Sequence, residues 1–97
     1  MLNQAVLVGR LNETPKYEEG KSSIIMLSVP RSYKNENGEY ETDLIKVMIS
    51  EQMAKNTVEY CKKGDLVGIK GKVVVKDDIM YISGEKLTFL SSRKEEE

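Results

Sequence analysis

Histidine is absent from the chain, and with it go the usual general base near neutral pH and the commonest metal ligand. That omission disfavours most hydrolases and metalloenzymes, so the sequence reads as a binding protein, not an enzyme, with no cofactor. Cysteine occurs once, as Cys61, so neither an internal disulfide nor a zinc site is available. Its place late in a helical stretch, near Val58 and Tyr60, suits a small packed hydrophobe. Tryptophan is missing too, leaving five tyrosines and one phenylalanine. No window approaches the roughly 18 consecutive apolar residues of a membrane helix. Nothing at the start reads as a basic segment followed by an apolar signal stretch. A cytoplasmic protein with no membrane role is expected.

Charge of one sign is also lacking. The formal net charge is −1, which gives no global attraction to a polyanion. Glu95, Glu96 and Glu97 end the sequence, and removing those three from the total leaves the remainder at +2. Local patches must carry any phosphate binding. The 97 residues suit one domain near the lower end of what buries a sufficient core, so self-association is a plausible source of extra stability.

What is present is strand-like. Gln4 to Leu11 is an apolar, β-branched run with Gly9 inside it, and Ser23 to Val29 reads as a second strand that Pro30 should end or place at an edge. Asn37-Gly38 supplies the two positive-φ positions of a tight hairpin turn. From Tyr40 to Ile49 the residues alternate: Ile45, Val47 and Ile49 should face the core, with Tyr40, Thr42, Leu44, Lys46 and Met48 opposite. The period then changes. Ser50 can cap a helix of about three turns that starts at Glu51 and ends at the cationic Lys62-Lys63-Gly64. Leu66 to Lys76 alternates again, with Val67, Ile69, Val73 and Val75 on one face and Lys70, Lys72 and Lys76 on the other. Asp77-Asp78 make a short turn before a last strand, Ile79 to Leu90, interrupted by Gly84.

Three strands, one helix and two strands form an all-β chain with a helix between strands 3 and 4. This is the order of a five-stranded oligonucleotide-binding (OB-fold) barrel over residues 1–91, whose curved strands need glycines or bulges. A small open sandwich and an SH3-like barrel are the alternatives. Residues 92–97 lack apolar side chains and are expected to form a disordered acidic tail.

Lys46, Lys70, Lys72 and Lys76 on outward strand positions offer a basic strip, although such lysines often serve only solubility or edge protection. Arg31, Tyr33 and Lys34 place a ring between two cations beside the hairpin, an arrangement able to grip phosphates and stack a base. Tyr40 and Tyr81 are further stacking candidates, whereas Tyr60 and Phe89 suit the core. Arg10 and Lys63 complete the set of candidate nucleic-acid-binding residues. So few rings predict modest affinity that falls sharply with salt. The glycines of VGRL and GIKGK precede no helix, so they read as strand bends and not as a nucleotide cradle.

Three segments, MLNQAVLVGRL, RSYKNENGEYETDLIKVMI and EYCKKGDLVGIKGKV, resemble bacterial single-stranded DNA-binding proteins in order and spacing. The resemblance implies sequence-tolerant binding and protection of single-stranded DNA in replication, recombination or repair. It also implies a homo-oligomer, a tetramer or a dimer, assembled through pairing of first strands. Tyr33, Lys46, Lys63 and Lys76 match the family's stacking and basic positions. Leu44 and Ser50 stand where members often carry aromatics, and the loop between strands 4 and 5 is cut to Lys76-Asp77-Asp78. The end of the chain lacks the family's acidic and hydrophobic tip, so recruitment of replication proteins by that route is not expected. An adaptor of a replication-restart (primosomal) complex with weak DNA binding is the alternative implied by the missing rings.

Overall fold

A computed structural model describes residues 1–92. The expected tail falls mostly on residues 93–97, outside the described part. Five strands and one helix run in the order β1 (Ala5–Leu11), β2 (Ser23–Lys34), β3 (Tyr40–Ile49), α1 (Glu51–Tyr60), β4 (Leu66–Lys76) and β5 (Ile79–Ser91). The strands close into a barrel in the order β1-β2-β3-β5-β4, the OB-fold arrangement. The strand alternation accounts for the core: Leu11, Ile25, Leu27, Val47, Ile49, Val67 and Ile69 are each buried. Cys61 joins them, as expected of a small hydrophobe, and burial pushes its thiol pKa up, with Asp65 adding to the shift.

Helix α1 begins where the sequence placed it. The Ser50 hydroxyl accepts from the Met53 amide at 3.2 Å and satisfies one of the orphan donors of the first turn. Ala54 and Thr57 face the core. The helix stops at Tyr60, so Lys62 and Lys63 lie in the turn beyond it and not in its last turn. That turn is locked onto β1 by Gly64 N–H donating to the Leu11 carbonyl and Leu11 N–H to the Asp65 carbonyl. Tyr60 is exposed, 70% of its surface facing solvent, and Phe89 is also exposed. Both were expected inside; the inner positions beside them are filled by Thr57, Cys61 and other small residues, so the barrel interior closes without either ring.

Strand β2 does not stop at Pro30. It continues to Lys34, with Pro30 opposite Thr42 and an irregularity before Lys34 meets Tyr40. Proline is tolerated because β1 pairs with β2 only at Arg10–Ser28 and Leu11–Leu27, leaving this stretch as an edge. The β2–β3 hairpin also departs from the tight two-residue turn. Asn35 N–H donates to the Glu39 carbonyl, its side chain accepts from the Asn37 and Glu39 amides, and only Gly38 takes positive φ. This is a three-residue loop with glycine in the left-handed position. The turn with two positive-φ residues is instead Asp77-Asp78, at φ 53° and 63°.

Val73 and Val75 were expected on the core face with Val67 and Ile69. They are exposed, Val75 by 64%, because β4 beyond Gly71 leaves the barrel body as a hairpin with the start of β5. At the branch point Gly71 pairs with Gly84 while Lys70 pairs with Lys86, so Glu85 bulges out of the ladder. A Cβ on Gly71 would overlap the Ser83 carbonyl oxygen, so only glycine lets the strands approach here.

Candidate nucleic-acid interface

Strand pairing places side chains from several segments on one outer surface, since directly opposed residues share a face of the sheet. Arg10, Ser28 and Leu44 form one row across β1, β2 and β3; Met26 and Lys46 form the next. Ile24, Met48, Ser83 and Lys72 form a row that crosses β2, β3, β5 and β4. The β4–β5 hairpin adds the opposed pairs Val74–Tyr81 and Lys76–Ile79.

Where the hairpin stands against β2 and β3 there is a cleft of about 170 Å³, lined by Ile24, Lys46, Met48, Lys76, Asp77, Ile79 and Tyr81. A second hollow of about 230 Å³ adjoins it and shares Lys46, Ile79 and Tyr81, with Met26, Leu44 and Met80 at its walls. The floor is apolar and the rim carries two ammonium groups. Neither Lys46 nor Lys76 makes an ion pair among the described residues. Of the residues singled out in the sequence, Lys46, Lys76 and Tyr81 are therefore brought together.

The others are distributed elsewhere. Arg31 is held by a forked pair to Asp43, at 3.1 and 3.0 Å, and by Glu41 at 2.7 Å. Asp43 alternates with Leu44 and Lys46 on β3, so this cluster lies on the opposite face of that strand. The hydrogen bond from Arg31 holds the Asp43 carboxyl below its usual value of 3.8, while that bond and the charges of Asp43 and Glu41 raise the guanidinium further. Tyr33 is exposed nearby, and the Lys34 ammonium lies 5.8 Å from the centre of the Tyr40 ring, within cation–π range. Arg10 donates to the Gly64 carbonyl at 2.9 Å, next to Lys63 in the α1–β4 turn. Lys70 stands opposite Lys86, and Lys72 pairs with Glu85 at 3.4 Å.

The apolar walls of the cleft carry neither cations nor rings, so charge and aromatic content do not point to them. Leu44 is 56% exposed and Ile24 53%. Their signal was legible: large aliphatic residues at outward positions of β2 and β3, where a merely solvated face would carry polar ones. The other missing wall, Ile79 and Met80, needs the hairpin to fold back over β3.

The family model described as the single-strand binding protein family matches residues 2–87. Single-stranded DNA-binding protein B of Bacillus subtilis is 40% identical over 77 residues, which cover 75% of this chain and 68% of that protein. Single-stranded DNA-binding protein 1 of Clostridium acetobutylicum is 32% identical over 108 residues, covering 97% and 98%. Other relatives are longer, and the match spans about half their length. The crystal structure of a small single-stranded DNA-binding protein from Streptomyces coelicolor shares the fold, with a TM-score of 0.73 at 21% identity, covering 92% of this chain and 94% of that one. Family match and barrel agree, and the chain belongs to the single-strand binding protein family.

Proposed function

We propose that this protein binds and protects single-stranded DNA without regard to sequence, during replication, recombination or repair, and performs no chemistry on it. The observation that carries the reading is the cleft that Tyr81 lines together with two cations, Lys46 and Lys76, neither of which forms an ion pair among the described residues. An apolar wall of Ile24, Met48 and Ile79 shelters the faces of bases, which every base possesses, and the ammonium groups hold phosphates. Tyr33, Lys34 and Tyr40 on the β2–β3 hairpin are a second contact along the same strand of DNA. Arg31 contributes less, because its charge is already matched by Asp43 and Glu41.

Labelled oligothymidine titrated by fluorescence anisotropy at low and moderate salt tests this directly. The wild-type chain binds, and more weakly as salt rises. Lys46→Gln with Lys76→Gln lowers the slope of log K against log salt by about 1.4, the value for two phosphate contacts on a single strand. Tyr81→Leu, which keeps an apolar filler against Val74, weakens binding by about 1–3 kcal/mol if the ring stacks a base. Absence of binding even at low salt refutes the proposal.

A further inference from the structure

The segment before β1 ties down the β4–β5 hairpin with a contact that neither the cleft nor the barrel core uses. On an antiparallel strand the N–H and C=O of one residue point to the same neighbouring strand, and alternate residues point to opposite sides. Val67, Ile69 and Gly71 of β4 pair with Gly9, Leu7 and Ala5 of β1, and the strand pairing ends there. Val73 is next in that series. Its backbone is met by a side chain: the Asn3 amide donates from Nδ2 to the Val73 carbonyl at 2.9 Å, and the Val73 N–H donates to Asn3 Oδ1 at 2.9 Å. A carboxamide offers a donor and an acceptor side by side, so Asn3 adds one more rung to the ladder. Just before this rung Gly71 stands opposite Gly84, where Glu85 bulges out and β4 leaves the barrel body. Two opposed glycines leave the branch point without side chains to brace it. On its β5 side the hairpin is held by β3 at Val47–Ile82 and Met48–Ser83. On its β4 side the rung past the glycines is the Asn3 amide.

We infer that Asn3 is a positioning residue for single-strand binding: its amide holds the β4–β5 hairpin in the place that completes the cleft. The inference rests on the proposed function, because the hairpin supplies Lys76, Ile79 and Tyr81 to that cleft. Asn3 itself touches neither base nor phosphate. It lowers the ordering cost of binding, since a wall already in place loses less freedom when the strand arrives. The two bonds are exposed to solvent, so their effect on affinity is several-fold and the fold survives their loss. Both lie on the β4 side of the chain, away from the β1 edge that faces β2, so assembly through that edge leaves them intact.

The test reads the free protein and the complex separately. In Asn3→Ala, backbone amide NMR order parameters from Val74 to Tyr81, recorded without DNA, fall from the rigid range of about 0.85 toward the flexible range below about 0.6, while the other strands keep their values. Affinity for oligothymidine, measured by anisotropy, falls about three- to tenfold. The slope of log K against log salt stays the same, because no phosphate contact is lost. Asn3→Asp adds a chemical check. At neutral pH its carboxylate opposes the Val73 carbonyl; once protonated it donates there again. Both readouts of Asn3→Asp therefore return toward wild type at the same pH as pH falls to about 4, and those of Asn3→Ala do not. Unchanged order parameters in Asn3→Ala overturn the inference. So does a salt slope lower by about 0.7, the mark of one lost phosphate contact on a single strand, which makes Asn3 a contact and not a positioner. A drop in mass by light scattering that accompanies the affinity loss also overturns it, by routing the effect through assembly. Failure of wild type to bind oligothymidine strikes the proposed function instead, and the order parameters, read without DNA, still decide whether Asn3 holds the hairpin.

Discussion

Asp43 shows how one side chain fixes what its neighbours are free to do. By holding Arg31 in a forked pair it takes the most versatile phosphate-binding group of the β2–β3 hairpin out of competition for DNA. The same bond gives a pH dependence whose sign is fixed. The Asp43 carboxyl is held below its usual value of 3.8 by the Arg31 hydrogen bond, so the stabilisation is complete above that value and is lost as pH falls through the lower, folded-state one. Thermal unfolding followed from pH 6 to pH 2.5 should show wild type losing its advantage over Asp43→Asn only below about pH 4. Both groups are exposed, so the advantage is small. A difference that stays constant across the range would show that the pair contributes nothing through ionisation. The variant leaves Arg31 paired with Glu41 alone, so its single-strand affinity should rise slightly.

At the scale of elements, the β4–β5 hairpin is decisive, because it supplies Lys76, Ile79 and Tyr81 to the cleft. Its Asp77-Asp78 turn holds two non-glycine residues at positive φ, matching the right-handed twist of the flanking strands at a cost in backbone strain. Asp77 also lines the cleft, where its charge opposes the approach of phosphate. Replacing the pair by Asn-Gly keeps the turn type with residues that adopt it more readily. Asp77→Asn with Asp78→Gly should stabilise the fold by about 0.5–1 kcal/mol. Denaturant unfolding measures the stability and anisotropy the affinity, which should increase about twofold. Lower stability would show that the aspartates make compensating contacts.

The whole molecule presents an incomplete surface. Strand β1 pairs with β4 from Ala5 to Arg10 but meets β2 only at Arg10 and Leu11, so the edge of Ala5 to Val8 that faces β2 is unpaired. Val6 and Val8 are exposed beside it. An unpaired edge next to apolar side chains invites another strand, and an 11.0 kDa chain gains stability from burying it. We therefore expect a homo-oligomer joined through β1, a dimer or a tetramer of such dimers. Light scattering at micromolar concentration should give a mass of two or more chains, and a monomer would remove that assembly. No helix among the described residues is long and apolar enough to cross a membrane.

The sequence by itself determined the number and order of the elements and the inner face of β3. Alternation on β3 and the Ser50 cap are local signals that hold in the structure because they depend only on neighbours in the chain. It also showed Lys46 and Lys76 as outward cations. Only the tertiary structure decided which of the candidates share a site: Lys76 and Tyr81 join Lys46 through the fold of a hairpin, while Arg31 is turned away by Asp43 on the opposite face. Tyr60, Val73 and Val75 mark the same boundary. Their periodicity pointed inward, but the barrel closes without them, because burial depends on which distant strands arrive overhead and not on the pattern along one strand.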